Sequence, residues 1–470
     1  MSVHYNVGET KKRPGVFQRQ SNAAANSPVA GRDGICAIPV QASWGPLGKV
    51  VKNALASDLA KNYGEGAYAK GHTVPAAAAM FNGGASTVYT YRLGTGGTKA
   101  SKEITSGLTA TAKHPGTMPI SVAVQEKLGD ATMKKFQVYT GTTLVEEFNF
   151  AADGKAEGAN LIAAVAKSNY VDVAGEAATV PVLAVASGAL AGGANPSVTN
   201  EDYSKAFAAL EPYYYNAIAL DVDDDESMTL SLLLQAYKEN ANKLGKTGYA
   251  VVGEKVTVAF DTRCAHASAF NDEKMAYLGG GWMAGKVSKD GVLGICYAAG
   301  VIASTPSNQG ITHAVIAEAT DLCESLTYSQ YEQAIEAGML MVSMSFDGAI
   351  WFDSGVNTLV TPADDQDEGW KKIRLVKVRH EIFDRLERAL APKAGRVSAD
   401  TDGVADIVQT GQRVLDAMVA EGKLKAGATF CEDPENPYTG DSAWFQVKVD
   451  DIDSLEKIYL HYQFRYSQKS

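Results

Sequence analysis

From residue 197 to about 360, short apolar runs alternate with helix-forming stretches, and this alternation limits the chain more than any other feature. Thr199 or Asn200 can cap a helix whose first turn carries Glu201 and Asp202, with Tyr203, Phe207 and Leu210 on its apolar face. A strand is predicted over 216–222. Asp223-Asp224-Asp225-Glu226 then opens a helix that reaches Leu244, with Gly245 in the position of a C-terminal cap. Further strands are predicted at 249–252, 292–297, 340–346 and 349–352, with a helix at 327–337. Strands that alternate with helices form a largely parallel sheet with right-handed crossovers.

The flanking regions read differently. Residues 21–94 hold an apolar strand, Gly34-Ile35-Cys36-Ala37-Ile38-Pro39-Val40, then short helices near 53–62 and 75–81 and a strand at 87–93, so they form the first part of the α/β core. Residues 95–195 open on the break Gly94-Thr95-Gly96-Gly97 and carry short strands at 120–124, 136–140 and 144–150, as a small β-rich domain would. The Gly/Ala tract 187–195 reads as a closing linker. Residues 366–456 combine a helix over 370–390, a second over 406–421 and a strand at 444–449, an α+β unit. The expected fold class is therefore α/β plus β, multidomain, with the main α/β domain at 197–365.

Both ends carry a period of two. Val3, Tyr5 and Val7 alternate with polar residues within an arm of residues 1–20. Ile458, Leu460, Tyr462, Phe464 and Tyr466 do the same within 457–470. Apolar-faced strands at chain ends need a sheet edge. If the edge belongs to another copy, two such arms per subunit produce a polymer. If it belongs to the same chain, they do not. Residues 8–12 and 450–454 are the candidate linkers that would let the arms bend.

Several chemistries find no support. A net charge of −11 argues against direct binding to nucleic acid. No run of about 18 apolar residues exists for membrane insertion, and no signal peptide is expected at the start. The five cysteines are scattered, so neither a disulfide framework nor a zinc site is expected, and a reducing compartment fits. P-loop, H-E-x-x-H and G-x-S-x-G motifs are absent, so no cofactor or catalytic residue is assigned. Asp221, Asp223, Asp224 and Asp225 follow a predicted strand, where a cation site or simple helix-start carboxylates are both conceivable. Cys264 and His266 could act as nucleophile and base only if the fold joined them. Residues 371–396 carry a net charge of +6. There Arg374, Lys377, Arg385 and Arg388 fall within roughly 80° on the helix, either a solvated face or a contact strip for an acidic protein surface.

Certain blocks in order resemble the contractile tail sheath proteins of bacteriophages, prophage-like particles and phage-tail-like bacteriocins of Gram-positive hosts. They are Arg13-Pro14-Gly15-Val16-Phe17, Trp44-Gly45-Pro46, Thr111-Ala112-Lys113-His114-Pro115-Gly116-Thr117, Ile120-Ser121-Val122-Ala123-Val124 and Gly355-Val356-Asn357-Thr358-Leu359. Residues 1–12 and the stretch around Cys264 depart from the pattern. The resemblance implies a subtilisin-like middle domain without a catalytic triad and a small β-sandwich insertion facing outward. It also implies a C-terminal domain facing the tail tube, with the basic strip toward it. It implies self-association into a helical homopolymer, and tail tube, baseplate and tail-terminator proteins as partners. Assembly would occur in the host cytoplasm, on a virion tail or tail-like particle. Such a sheath stores energy in an extended lattice and contracts without nucleotide. Another self-assembling shell or surface-layer protein, or an α/β enzyme, are the alternatives.

Overall fold

Seven strands form the central sheet of the computed structural model. The structure describes residues 3–4, 17–18, 30–105, 107–175, 182, 185–223 and 227–465, with backbone only at 3–4, 17–18 and 185–186. Across the sheet the order is Met339–Leu340, Met275–Leu278, Tyr249–Gly253, Ala217–Ala219, Ile35–Val40, Thr87–Arg92 and Val50–Asn53. Every neighbouring pair is parallel except the last. Side chains alternate strictly between two cores. Cys36, Ile38, Ala217, Ala219, Val251 and Leu278 face one side. Ala37, Ile218, Ala250, Val252 and Tyr277 face the other. A sheet covered on both faces reads as continuous apolar runs, which is how these strands appear in the sequence.

Helices Asn200–Leu210, Ser227–Lys243 and Phe260–Phe270 supply residues to the second core. The first of them starts as its sequence dictates. Thr199 and Asp202 form a capping box, with the Thr199 N–H donating to Asp202 Oδ2 at 2.9 Å. Gly245 follows the second helix with φ +74°, a conformation that favours glycine.

One predicted strand is a helix. Residues 292–297 belong to helix Val292–Ser304, which is buried along nearly its whole length. A helix buried on all sides has no polar stripe, so its helical period is invisible, and the run Val-Leu-Gly-Ile-Cys-Tyr mimics a core strand. It packs against helix Val74–Asn82 through glycines: a Cβ on Gly300 would meet the Met80 carbonyl, and one on Gly83 the Tyr297 carbonyl.

The β-rich insertion comprises two antiparallel sheets. One has the order Val171–Gly175, Leu108–Ala112, Ser101–Thr105; the other Thr143–Ala151, Met133–Thr140, Ile120–Glu126, Val185–Ala189. Both contribute to one core with helix Glu157–Val165, through Leu108, Val122, Phe136, Phe150 and Leu161 among others. The Gly/Ala tract is not a free linker. It begins as the strand Val185–Ala189 and then pairs with the outgoing chain, Ala191 with Ser101, Ala194 with Thr98 and Ser197 with Thr95. Its small residues permit that approach, since a Cβ on Gly193 would meet the Gly116 carbonyl.

By packing, the chain divides into two units. The larger holds Arg32–His380 and Asp453–Ser470; the smaller holds Met1–Gly31 and Glu381–Ile452. The division falls inside helix Ile373–Leu390, whereas the sequence placed it at 365/366. In the smaller unit, helix Thr401–Ala420 packs on the hairpin Thr429–Glu432 and Phe445–Lys448. Its core contains Val414, Leu415, Met418, Leu424 and Phe430.

Candidate assembly surfaces

The C-terminal segment keeps its period of two but belongs to no strand: residues 452–465 carry no secondary structure. Ile458, Leu460, Tyr462 and Phe464 are 70%, 68%, 69% and 92% exposed. The rings of Tyr462 and Phe464 stack on each other, 6.1 Å between centroids. Such a row of exposed apolar side chains on unpaired backbone is the physical description of a strand without its sheet. At the other end, Val3–His4 pairs in parallel with Phe17–Gln18 of the same chain, so Val3 has an in-chain partner across two residues. Tyr5, Val7, Tyr466 and the candidate linker 8–12 lie outside the described residues.

Residues 450–454, the other candidate linker, are held in place. In the smaller unit the Lys425 N–H donates to the Asp450 carbonyl at 2.9 Å and Asp451 pairs with Leu424. In the larger unit Lys372 Nζ lies 2.5 Å from Asp453 Oδ2 and 3.2 Å from Glu456 Oε2. Arg374 Nη1 donates to Ser454 Oγ at 2.9 Å, and Thr312 Oγ1 to Glu456 Oε1 at 3.0 Å. The free segment therefore begins at Lys457.

The basic strip is the clearest correction. Arg374, Lys377 and Arg385 are buried, and each is hydrogen-bonded within the chain. Arg374 also donates to the Asn308 carbonyl at 2.9 Å. Lys377 Nζ donates to the carbonyls of Ile302 and Thr305, closing the end of helix Val292–Ser304. Arg385 makes a two-pronged contact with Glu421, 2.8 and 2.6 Å, and a further one with Glu381, to which Lys423 also donates. The Arg385 guanidinium and Lys423 beside it hold the Glu421 carboxyl down at about 2. Arg388 is half-buried, paired with Asp384 four residues back, and donates to the Ala30 carbonyl at 2.7 Å. Helical spacing put these cations on one flank, but partners such as Glu421 and Ser454 are 36 and 80 residues away in sequence, so the sequence pattern could not show that the flank is covered.

The acidic and nucleophilic candidates are also structural. Asp221 is buried and accepts from the hydroxyls of Tyr203 (2.6 Å) and Thr73 (2.7 Å) and from Gln41 (3.4 Å); burial raises its pKa. Asp223 accepts from the first N–H of helix Val292–Ser304 and pairs with Lys255. Asp224 and Asp225 lie outside the described residues. Cys264 and His266 sit two positions apart on one helix, about 200° around it. Cys264 is buried and its thiol pushed up by burial, while His266 contacts Glu254 at 2.7 Å. Among the described residues no group of three or more His, Cys, Asp or Glu could hold a metal ion. Among them too, no helix is long and apolar enough to cross a membrane.

Sequence reasoning missed Arg92. Its fully buried guanidinium donates to the carbonyls of Ala42, Gly45 and Pro115 at 2.7–3.0 Å, which fastens two of the blocks that carry the resemblance. Beside it Trp44 meets His114 and Tyr170, at 4.9 and 5.9 Å between ring centroids. A signal was present: an arginine ending a core strand must find acceptors.

Fold and surface thus describe an α/β scaffold with a β-rich insertion and a free apolar tail. Comparison with known proteins gives that class a name: residues 196–358 match the phage tail sheath protein central domain, so the chain carries that domain. It is 23% identical to the uncharacterised protein YqbK of Bacillus subtilis (strain 168), over 98% of this chain and 99% of that one. It is 22% identical to the phage-like element PBSX protein XkdK of the same organism, over 97% and 98%. Among solved structures, the sheath tail protein of Desulfitobacterium hafniense superposes with a TM-score of 0.71 at 21% identity, covering 93% of this chain and all of that one. The helical sheath of the anti-feeding prophage in its contracted state gives 0.52 at 11% identity, covering 97% and 99%.

Proposed function

We propose that this chain is the structural subunit of a contractile tail sheath. It polymerises around a tail tube in an extended, metastable lattice and contracts to drive the tube through a target envelope. The observation that carries this is residues 457–465: an exposed, alternating apolar segment that finds no partner strand among the described residues. A second copy supplies the edge, because main-chain pairing gives affinity without a preformed pocket. The central sheet, with parallel strands and helices on both faces, supports a subtilisin-like topology. The two insertion sheets around one core support a β-sandwich domain on the outer surface. Asp221 and Asp223 occupy structural hydrogen bonds and Cys264 is buried, which supports a non-enzymatic role. Tube, baseplate and tail-terminator proteins are the partners of such a subunit, and the host cytoplasm is where it assembles. Negative-stain electron microscopy of the full chain and of a chain ending at residue 456 tests this. Striated tubes from the full chain alone support it. Equal tubes from both would show that the tail is not the connector.

A further inference from the structure

The four residues preceding the free tail are held in an unusual way. Among the described residues no backbone-to-backbone hydrogen bond fixes 453–456. Leu455, their one apolar side chain, is 82% exposed, so no core burial fixes them either. Every contact is polar and made by side chains. Lys372 bridges Asp453 and Glu456, Arg374 reaches Ser454, and Thr312 reaches Glu456. The receiving side is rigid. Arg374 is also tied to the Asn308 carbonyl, and Thr312 Oγ1 accepts the Gly355 N–H at 2.9 Å. Lys372 and both carboxylates are partly open to water, where ion pairs are weak and screened by salt.

We propose that residues 453–456 form a releasable latch that sets the working length of the C-terminal tail. Closed, the tail begins at Lys457. Open, it begins at Asp453 and gains four extended residues, roughly 13 Å of reach. The proposal rests on the reading of the tail as the connector between copies. It gives that connector a way to lengthen without unpairing its far end when subunits move apart. The polar anchors suit this, since they break and re-form without exposing apolar surface.

The test is proteolysis of the soluble, unassembled full chain by a glutamate-specific protease, following cleavage after Glu456. Cleavage of a transiently opened site tracks the open population. The expected results are a rate rising roughly three- to tenfold for Lys372→Met, a rate near the original for Lys372→Arg, and a rate in the unaltered chain that rises with salt. A free peptide spanning 450–462 corrects for salt effects on the protease. Equal, salt-independent rates in the unaltered chain and Lys372→Met would overturn the latch. The salt series on the unaltered chain decides the matter even if a variant fails to fold. Electron microscopy of the chain ending at residue 456 separately decides whether the tail is the connector, so the two failures are distinguishable.

Discussion

Two excursions leave the core of the larger unit, and they are fastened by opposite means. The insertion departs and returns through a neck whose strands are bridged backbone to backbone, Thr95 to Ser197, Thr98 to Ala194 and Ser101 to Ala191. It is bolted at its base by Arg92 and sealed by buried Trp44. The tail departs through residues held by side-chain contacts alone, a partly exposed ion-pair cluster and two hydrogen bonds. Several backbone bridges beside a buried, multiply hydrogen-bonded guanidinium must open together; ion pairs in water are individually weak. One attachment is built to stay and the other to let go.

That contrast is open to attack in order of effect. Replacing Arg92 with Leu removes the bolt and strands two buried carbonyls and a half-buried one, and the expected loss of stability is roughly 3 kcal/mol, read as a lowered urea midpoint. A midpoint within 0.5 kcal/mol of the original, on the order of a surface substitution, would show that the neck alone holds the insertion.

A second arm contrasts Lys372 with Lys238, which is buried near the Tyr215 ring with no hydrogen-bond partner among the described residues. Desolvation lowers its pKa to about 7. Below about pH 7 both folded and unfolded states carry the proton and the full burial penalty is felt. As pH rises from about 7 toward the unfolded value the folded state sheds it and stability recovers. Lys238→Met removes the penalty, so the variant should be more stable by roughly 2–4 kcal/mol near pH 6, and the difference should shrink toward pH 10. A gap that does not change with pH would mean that Lys238 is not the titrating group.

A smaller effect is expected at Gln412 in the smaller unit. Its side chain accepts the Phe430 N–H at 2.8 Å and donates to the Ala428 carbonyl at 2.9 Å, covering one edge of the hairpin. Gln412→Leu should cost roughly 1–2 kcal/mol, seen as a lower thermal midpoint; no change would indicate that water replaces the amide. Smallest of all, Lys372→Met should change global stability by under about 1 kcal/mol, measured by urea unfolding. A larger loss would make the latch part of the fold.

Elements whose signals are local were readable from the sequence. Thr199 and Asp202 announced a helix start, Gly245 a helix end, and the apolar runs at 136–140 and 144–150 two short strands. Elements whose character depends on distant partners were not. Helix Val292–Ser304 lost its period because both of its sides are buried, and Arg374 and Arg385 looked exposed because Asn308, Ser454 and Glu421 come from elsewhere in the chain. The tail was readable for the opposite reason: its alternation is complete in itself and lacks only a sheet.

The neck has a practical side. Thr95 and Ser197 are bridged partners, and a Cβ on Gly94 would already touch Pro196. Two positions so near each other behave as a socket: a foreign domain whose ends lie about 5 Å apart could replace the insertion without moving a strand of the central sheet.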